Sequence, residues 1–253
     1  MTTLAVIPAR LGATRLPGKP LRLLGGAPLV VRVWERVRGL GVADRVVVAT
    51  DSREVADAAR GAGAEVAMTR EDHPSGTDRV AEVAARPEFA GARAVLNVQG
   101  DEPFVSEAAL RGALAMVGER GFPLGTAAVP AGEDALARPD VVKVVTADDG
   151  RALYFSRAAI PFARDTADGD AAAALALQHL GVYAYAPDAL ARWVALPEHP
   201  LERCERLEQL RPLAAGLAMG VAIVREPAAR GIDTEADLLE ANARWADLHA
   251  GRS

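Results

Sequence analysis

Short β-branched runs alternate along this chain with longer, Ala-rich segments of helical period, and that alternation narrows the possible folds more than any single motif. Leu4–Ile7, Arg45–Ala49, Glu65–Met68 and Ala94–Val98 predict strands, while Pro28–Gly39, Arg53–Ala62, Thr77–Ala85 and Glu107–Gly118 predict helices. Strand–helix–strand order with short connections means βαβ units and an α/β fold with a mostly parallel central sheet, helices on both faces. In such open sheets ligands bind outside the C-terminal ends of the strands. The loops after Ile7, Ala49 and Val98 therefore share the edge where chemistry is expected.

The second half is less regular. Leu124–Val129, Val141–Thr146, Leu153–Phe155, His179–Tyr185 and Val221–Val224 predict strands, with Asp148-Asp149-Gly150 as a hairpin turn. Pro187–Ala195, Leu201–Gly216 and Thr234–His249 predict helices. The polar, small-residue stretch Arg164–Ala174 and the stretch Glu226–Ile232 predict loops. With 253 residues and no repeat or flexible linker, one compact body is expected, either a large α/β domain or a domain with an appended lobe.

Charge excludes two function classes. A formal net charge of -5 argues against a general nucleic-acid or membrane-surface binder, because both need a positive field. The single cysteine, Cys204, makes no internal disulfide and has no cluster around it to form a metal site. A strand-like start, MTTLAVIPA, and the lack of any run of 18 apolar residues predict a cytoplasmic protein with no membrane span.

Against that acidic balance, IPARLGATRLPGKPL carries Arg10, Arg15 and Lys19, with two glycines and three prolines, and no acidic residue precedes Glu35. It is neither a P-loop, since Gly18-Lys19 is followed by Pro20, nor a dinucleotide fingerprint. Glycines that allow close backbone approach, together with cationic side chains, nevertheless suit an anion such as phosphate; the plainer alternative is a solvated basic loop. The strand leading into Asn97-Val98-Gln99-Gly100-Asp101-Glu102-Pro103 ends in two carboxylates at the ligand edge. Asp101 is the better candidate for Mg²⁺, which takes one or two carboxylates plus substrate phosphates, and Glu102 reads as solvent-facing. Asp233, in Gly231-Ile232-Asp233-Thr234, is either the N-cap of the last helix, with Thr234 as the alternative cap, or a second metal ligand meeting Asp101. His73-Pro74-Ser75-Gly76-Thr77-Asp78-Arg79 opens a helix as a capped start or a base-and-phosphate reader. His179 and Tyr183, four apart on one strand, share a face. With Arg157 and Gln209 they suit a polyhydroxylated substrate, although a lone strand histidine is often structural.

Taken together, IPARLGATRLPGKPL, VVATD, MTREDHPSGTDRVAEV, LNVQGDEP, VVKVV, ALYFSRAAIPF, HLGVYAY, LERCERLEQLR and GIDTEADL resemble the CMP-Kdo synthetases (3-deoxy-manno-octulosonate cytidylyltransferases). The matches run in the family's order from residue 7 to about 238. Pro74 before the SGT turn, Asp78 where Glu is usual, and the plain tract Ala171–Ala176 depart from the pattern. The resemblance implies a Rossmann-like nucleotidyltransferase fold with a smaller mixed sugar-binding and dimerisation lobe, and a homodimer. The chain would be a single domain, 1–253. Its nucleotide-binding half would cover about 1–130, sugar-binding and dimerisation elements about 131–220, and a metal-ligand loop and helix about 221–249.

The resemblance further implies transfer of CMP from CTP to the anomeric hydroxyl of 3-deoxy-D-manno-octulosonate (Kdo) with Mg²⁺, for lipopolysaccharide-type sugar biosynthesis. Arg10 and Lys19 would bind the triphosphate, with Arg15 near the phosphates or the sugar acid. Pro8, Ala9, Ser75, Gly76, Arg79 and Gln99 would surround cytidine, and Asp101 and Asp233 would hold the metal. Arg157, His179, Tyr183, Glu208 and Gln209 would line the sugar pocket. Three alternatives stay open: a cytidylyltransferase for another acidic sugar or an amino analogue of Kdo, a glycosyltransferase, and a non-catalytic nucleotide-binding regulator.

Overall fold

The computed structural model describes residues 2–12, 15–226 and 231–249, and the chain falls into two compact units. The first comprises Thr2–Val105 together with the C-terminal segment. Its strands are β1 (Thr3–Ala9), the two-residue strands β2 (Leu23–Leu24) and β3 (Ala27–Pro28), β4 (Arg45–Thr50), β5 (Glu65–Met68) and β6 (Ala94–Asn97). Within it β1 pairs in parallel with β6 on one side and β4 on the other, and β5 extends the sheet beyond β4. Every residue of β1 and of β6 is buried. That is the pattern of parallel strands covered on both faces, and it explains why both read as mainly apolar rather than alternating runs, with Thr3 and Asn97 as their buried polar members.

The strand order also locates a binding edge. The chain moves outward from β1 to β4 and β5, then returns to place β6 on the opposite side of β1. The loops after β1 and β6 diverge at that reversal, the point where open α/β sheets bind ligands. Around the sheet run α1 (Leu29–Leu40), α2 (Arg53–Gly61), α3 (Gly76–Ala84) and the C-terminal helix Glu235–His249. Side-chain caps set two of the starts, Ser52 accepting from Val55 N at 3.3 Å and Ser75 from Asp78 N at 3.3 Å.

The second unit, Ser106 onward, holds β7 (Leu124–Pro130), β8 (Lys143–Thr146), β9 (Ala152–Ser156), β10 (Leu177–Tyr185) and β11 (Met219–Ile223). Here pairing is mixed: β7 is parallel to β11 and antiparallel to β10, and β8 is antiparallel to both β10 and β9. Helix α4 (Glu107–Gly118) lies on β7 so closely that a Cβ on Gly125 would stand 2.1 Å from the Ala113 carbonyl oxygen. Shorter helices follow at α5 (Glu133–Ala137), α6 (Gly169–Leu175), α7 (Pro187–Ala195), α8 (Pro200–Glu205) and α9 (Leu210–Ala214). Among the described residues no helix is long and apolar enough to cross a membrane.

Most sequence expectations hold to within one or two residues at element ends, the ordinary scatter of frayed termini. Two do not. The expected helix Leu201–Gly216 is broken into α8 and α9, because Arg206 takes a left-handed φ of 53° that no helix accommodates. The expected loop Arg164–Ala174 contains a 3₁₀ turn, Thr166–Asp168, and α6, whose alanine run has high helix propensity. The β2–β3 hairpin was not anticipated. Its Gly25-Gly26 turn has positive φ at both residues, 54° and 81°, as a two-residue hairpin requires. Of the expected loop Glu226–Ile232, residues 227–230 lie outside the described residues, as do residues 13 and 14 of the basic loop.

Candidate active site

Two carboxylates far apart in sequence converge on one ammonium. Lys19 opens a 3₁₀ turn just before β2, and its Nζ donates to Asp101 Oδ2 at 2.6 Å and to Asp233 Oδ1 at 2.9 Å. The backbone fixes the register of the pair, since Ile232 N donates to the Asp101 carbonyl at 2.9 Å. Arg15 meets the outer oxygen of Asp233 at 2.9 Å, in solvent. Burial works against the Lys19 charge, but Asp101 first and Asp233 after it outweigh that and hold its pKa above the usual lysine value.

Asp233 is free for this role because another residue caps the helix. Thr234 Oγ1 accepts from Asp237 N at 3.2 Å, and Asp237 Oδ2 accepts from Thr234 N at 2.8 Å and Asp233 N at 3.1 Å. The reciprocal bonds form a capping box around Thr234. Glu102 corrects its expectation: it does not simply face solvent. Burial of its carboxyl, then the charges of Asp101 and Asp233, push its pKa up to about 8.

Would this pair suit a divalent cation? The chemistry fits. Two hard oxygen donors aim at one point already occupied by a positive group, the Lys19 ammonium. Among the described residues no three His, Cys, Asp or Glu side chains gather into a cage. Two carboxylates without a further protein cage match Mg²⁺ shared with phosphates, rather than a metal fully enclosed by protein.

The neighbouring loops pack on Pro8 at the end of β1. A Cβ on Gly76 would touch the Pro8 ring at 3.5 Å, and one on Gly100 would stand 2.7 Å from the Pro8 carbonyl oxygen. So Pro8, Ala9 and Gly76, expected around cytidine, are brought together with the turn that follows Gln99. Ser75 caps α3 and donates to Asp78 Oδ2 at 2.7 Å. Arg10 is exposed at the exit of β1, and Gln99 is partly exposed. Arg79 is buried, 3.3 Å from Asp51 Oδ2 and hydrogen-bonded to Thr69 Oγ1. The sequence did not single out Asp51, nor Glu82 on α3. The Glu82 carboxylate accepts from Arg70 N at 3.1 Å and from Arg86 at 3.0 Å, and lies 2.5 Å from His73 Nε2. It thereby ties the loop ahead of Ser75 to its own helix. Its i,i+4 spacing to Arg86 was the signal available.

In the second unit His179 and Tyr183 share a face, with ring centroids 5.4 Å apart, even though β10 shifts register between them. His179 is buried and its pKa is pushed down to about 3 by burial. Thr126 Oγ1 donates to the Val182 carbonyl at 2.6 Å, so it accepts from His179 Nε2, 2.8 Å away. That network assigns a neutral, Nε2-protonated ring. The Arg157 guanidinium is held by backbone carbonyls, Glu205 at 2.7 Å, Pro139 at 3.0 Å and Arg206 at 3.3 Å. It braces the turn where Arg206 leaves α8. Gln209 is buried just before α9, and Glu208 is partly buried beside it.

Comparison with known proteins gives concordant matches. A cytidylyltransferase family model matches residues 4–222. The 3-deoxy-manno-octulosonate cytidylyltransferase of Gemmatimonas aurantiaca is 65% identical over 253 residues, covering 100% of this chain and 98% of that protein. The protein of the same name from Syntrophotalea carbinolica is 45% identical over 254 residues, covering 98% and 100%. A solved structure of CMP:2-keto-3-deoxy-manno-octonic acid synthetase complexed with CTP aligns with a TM-score of 0.89 at 37% identity, covering 98% of this chain and 100% of that one. The 4-diphosphocytidyl-2C-methyl-D-erythritol synthase of Anaerococcus prevotii aligns with a TM-score of 0.63 at 16% identity over 96% of this chain and 97% of its own, a likeness of fold alone.

Proposed function

This chain belongs to the cytidylyltransferase family, and from that premise we propose that it transfers CMP from CTP to the anomeric hydroxyl of Kdo, releasing pyrophosphate. The observation that carries the reading is the convergence of Asp101 and Asp233 on the Lys19 ammonium, 2.6 and 2.9 Å away, at the reversal of strand order. In the reaction the sugar hydroxyl oxygen bonds to the α-phosphorus, the bond from that phosphorus to the β-phosphate oxygen breaks, the pair of electrons leaves on pyrophosphate, and the hydroxyl proton passes to solvent water. Both substrates are anionic, so the protein contributes mainly charge neutralisation and alignment.

Lys19 and Arg10 supply cationic side chains for the triphosphate and for the pyrophosphate that leaves. Arg15, salt-bridged to Asp233 in solvent, is placed to meet the phosphates or the sugar acid. Asp101 and Asp233 would hold Mg²⁺, which when bound supplies positive charge to phosphate oxygens and lowers the pKa of a nearby hydroxyl. Pro8, Ala9, Ser75, Gly76, Arg79 and Gln99 are assigned to the nucleoside, with Arg79 held still by Asp51 and Thr69. Arg157, His179, Tyr183, Glu208 and Gln209 are assigned to the sugar, Arg157 from the turn that its hydrogen bonds to backbone carbonyls also brace.

Exposed apolar side chains in the second unit, Leu153, Leu175 and Phe162, support a homodimer, which equilibrium sedimentation would test. Dependence on CTP supports a cytoplasmic place. The test of function is pyrophosphate release from CTP and Kdo at saturating Mg²⁺. Asp101→Asn and Asp233→Asn should each cut turnover by about 10² or more, the size of one preorganised electrostatic contribution. Near-wild-type turnover in both variants rules this site out, and faster turnover on another sugar acid reassigns the acceptor.

A further inference from the structure

The three groups that meet at the site sit on three separate loops, and one element grips all of them. The C-terminal helix begins directly after Asp233. Its first turn pairs Glu235 with Arg22 at 2.6 Å, three residues beyond Lys19. Farther along, Asn242 accepts from Gly25 N at 2.9 Å and donates to the Leu23 carbonyl at 3.1 Å, fastening β2 and the turn of the β2–β3 hairpin to the helix. Trp245 lies against the same hairpin. A Cβ on Gly25 would stand 2.2 Å from its Nε1, and the Arg32 guanidinium covers its ring at 4.4 Å. On the Asp101 side, Phe104 packs on Trp245 with centroids 6.3 Å apart.

Lys19 is thus tied to the helix through the hairpin, Asp101 through Phe104, and Asp233 by direct chain continuity. We infer that Asn242 and Trp245 are positioning residues for the metal: they set the Asp233 carboxylate against Asp101 so that the pair accepts one divalent cation. Neither residue touches substrate in the proposed reaction. This inference rests on the assignment of Asp101 and Asp233 as metal ligands.

The test uses the full chain with Mn²⁺ as the probe, free Mn²⁺ being read by electron paramagnetic resonance in the presence of CTP. Supporting residues behind metal ligands commonly govern affinity by an order of magnitude. Asn242→Ala should therefore weaken Mn²⁺ binding by about tenfold. CTP affinity without metal, to which Lys19 contributes but Asp101 and Asp233 do not, should fall by clearly less than Mn²⁺ affinity does. Trp245→Phe, which keeps a ring against Gly25, should bind Mn²⁺ nearly as wild type does. Unchanged Mn²⁺ affinity in Asn242→Ala overturns the inference, as does an equal loss of metal-free CTP affinity, which marks a merely structural role. Failure of the wild type to bind Mn²⁺ overturns both the inference and the ligand assignment. Wild-type protein that binds Mn²⁺ in this Asn242-dependent way, yet releases no pyrophosphate with any sugar acid, refutes the transferase reading and leaves the positioning role standing.

Discussion

Replacing Glu82 by Gln should cost stability in a pH-dependent way that can be worked out in advance. Burial alone would raise the carboxyl pKa, but the Arg70 amide, then His73 and Arg86, outweigh it and bring it from 4.5 down to about 2. A pKa lowered by that much favours the folded, ionised form by about 3 kcal/mol. A quarter of the side chain is exposed, so solvent screening trims the figure to about 2 kcal/mol. The sign follows from the depressed folded-state value. The stabilisation is fully present above pH 4.5 and is lost as pH falls from 4.5 toward 2. Urea unfolding followed by tryptophan fluorescence, on wild type and Glu82→Gln in parallel, measures the gap. It should be about 2 kcal/mol at pH 7 and shrink by up to about 1.4 kcal/mol per pH unit below 4.5. A gap that is absent at pH 7, or unchanged at pH 3.5, refutes the reasoning that a charge ties this loop down.

His179 should govern a second, higher window. Its folded pKa is about 3 against an ordinary 6.5, so it stabilises the protein above pH 6.5 and that contribution fades as pH falls toward 3. Unfolding free energies of His179→Phe at pH 7.5 and 5.5 should therefore differ by about 1.4 kcal/mol less than those of wild type. Gly125→Ala should destabilise by about 3 kcal/mol or more in the same urea assay, because the new methyl meets the α4 backbone rather than a movable side chain. A loss under 1 kcal/mol, about the average for any substitution, would mean that α4 can shift away.

The parallel half of the fold was open to reading because its signals are local. Runs such as those at β1 and β6 are apolar on both faces, Ser52 and Ser75 announce helices, and Asp148-Asp149-Gly150 announces a hairpin. Where the structure differs from local signals, the deciding contact is remote. Nothing near Arg206 in the sequence tells that a guanidinium from residue 157 and its partner Glu205 will hold a turn inside LERCERLEQLR. The mildly polar lead-in to the alanines of α6 looked like a loop, yet propensity prevailed. At the site, the pairing of Asp101 with Asp233 was anticipated as a meeting of carboxylates, whereas Lys19 as the group between them was not. That bridge depends on a side chain reaching across two loops, which spacing alone does not express. Glu102 was misjudged for a related reason, since burial at a turn is set by what folds over it.

The wedging of Pro8 between Gly76 and Gly100 has a consequence for how such a protein can change. The end of a buried strand and two turns are here geared together through a single imino acid. Any bulkier residue at position 100 would press on the β1 backbone, and through it on whatever the first loop grips. Substitutions at the neighbouring positions 75 and 99, which carry side chains of their own, therefore disturb the β1 backbone less than any change at the contact itself.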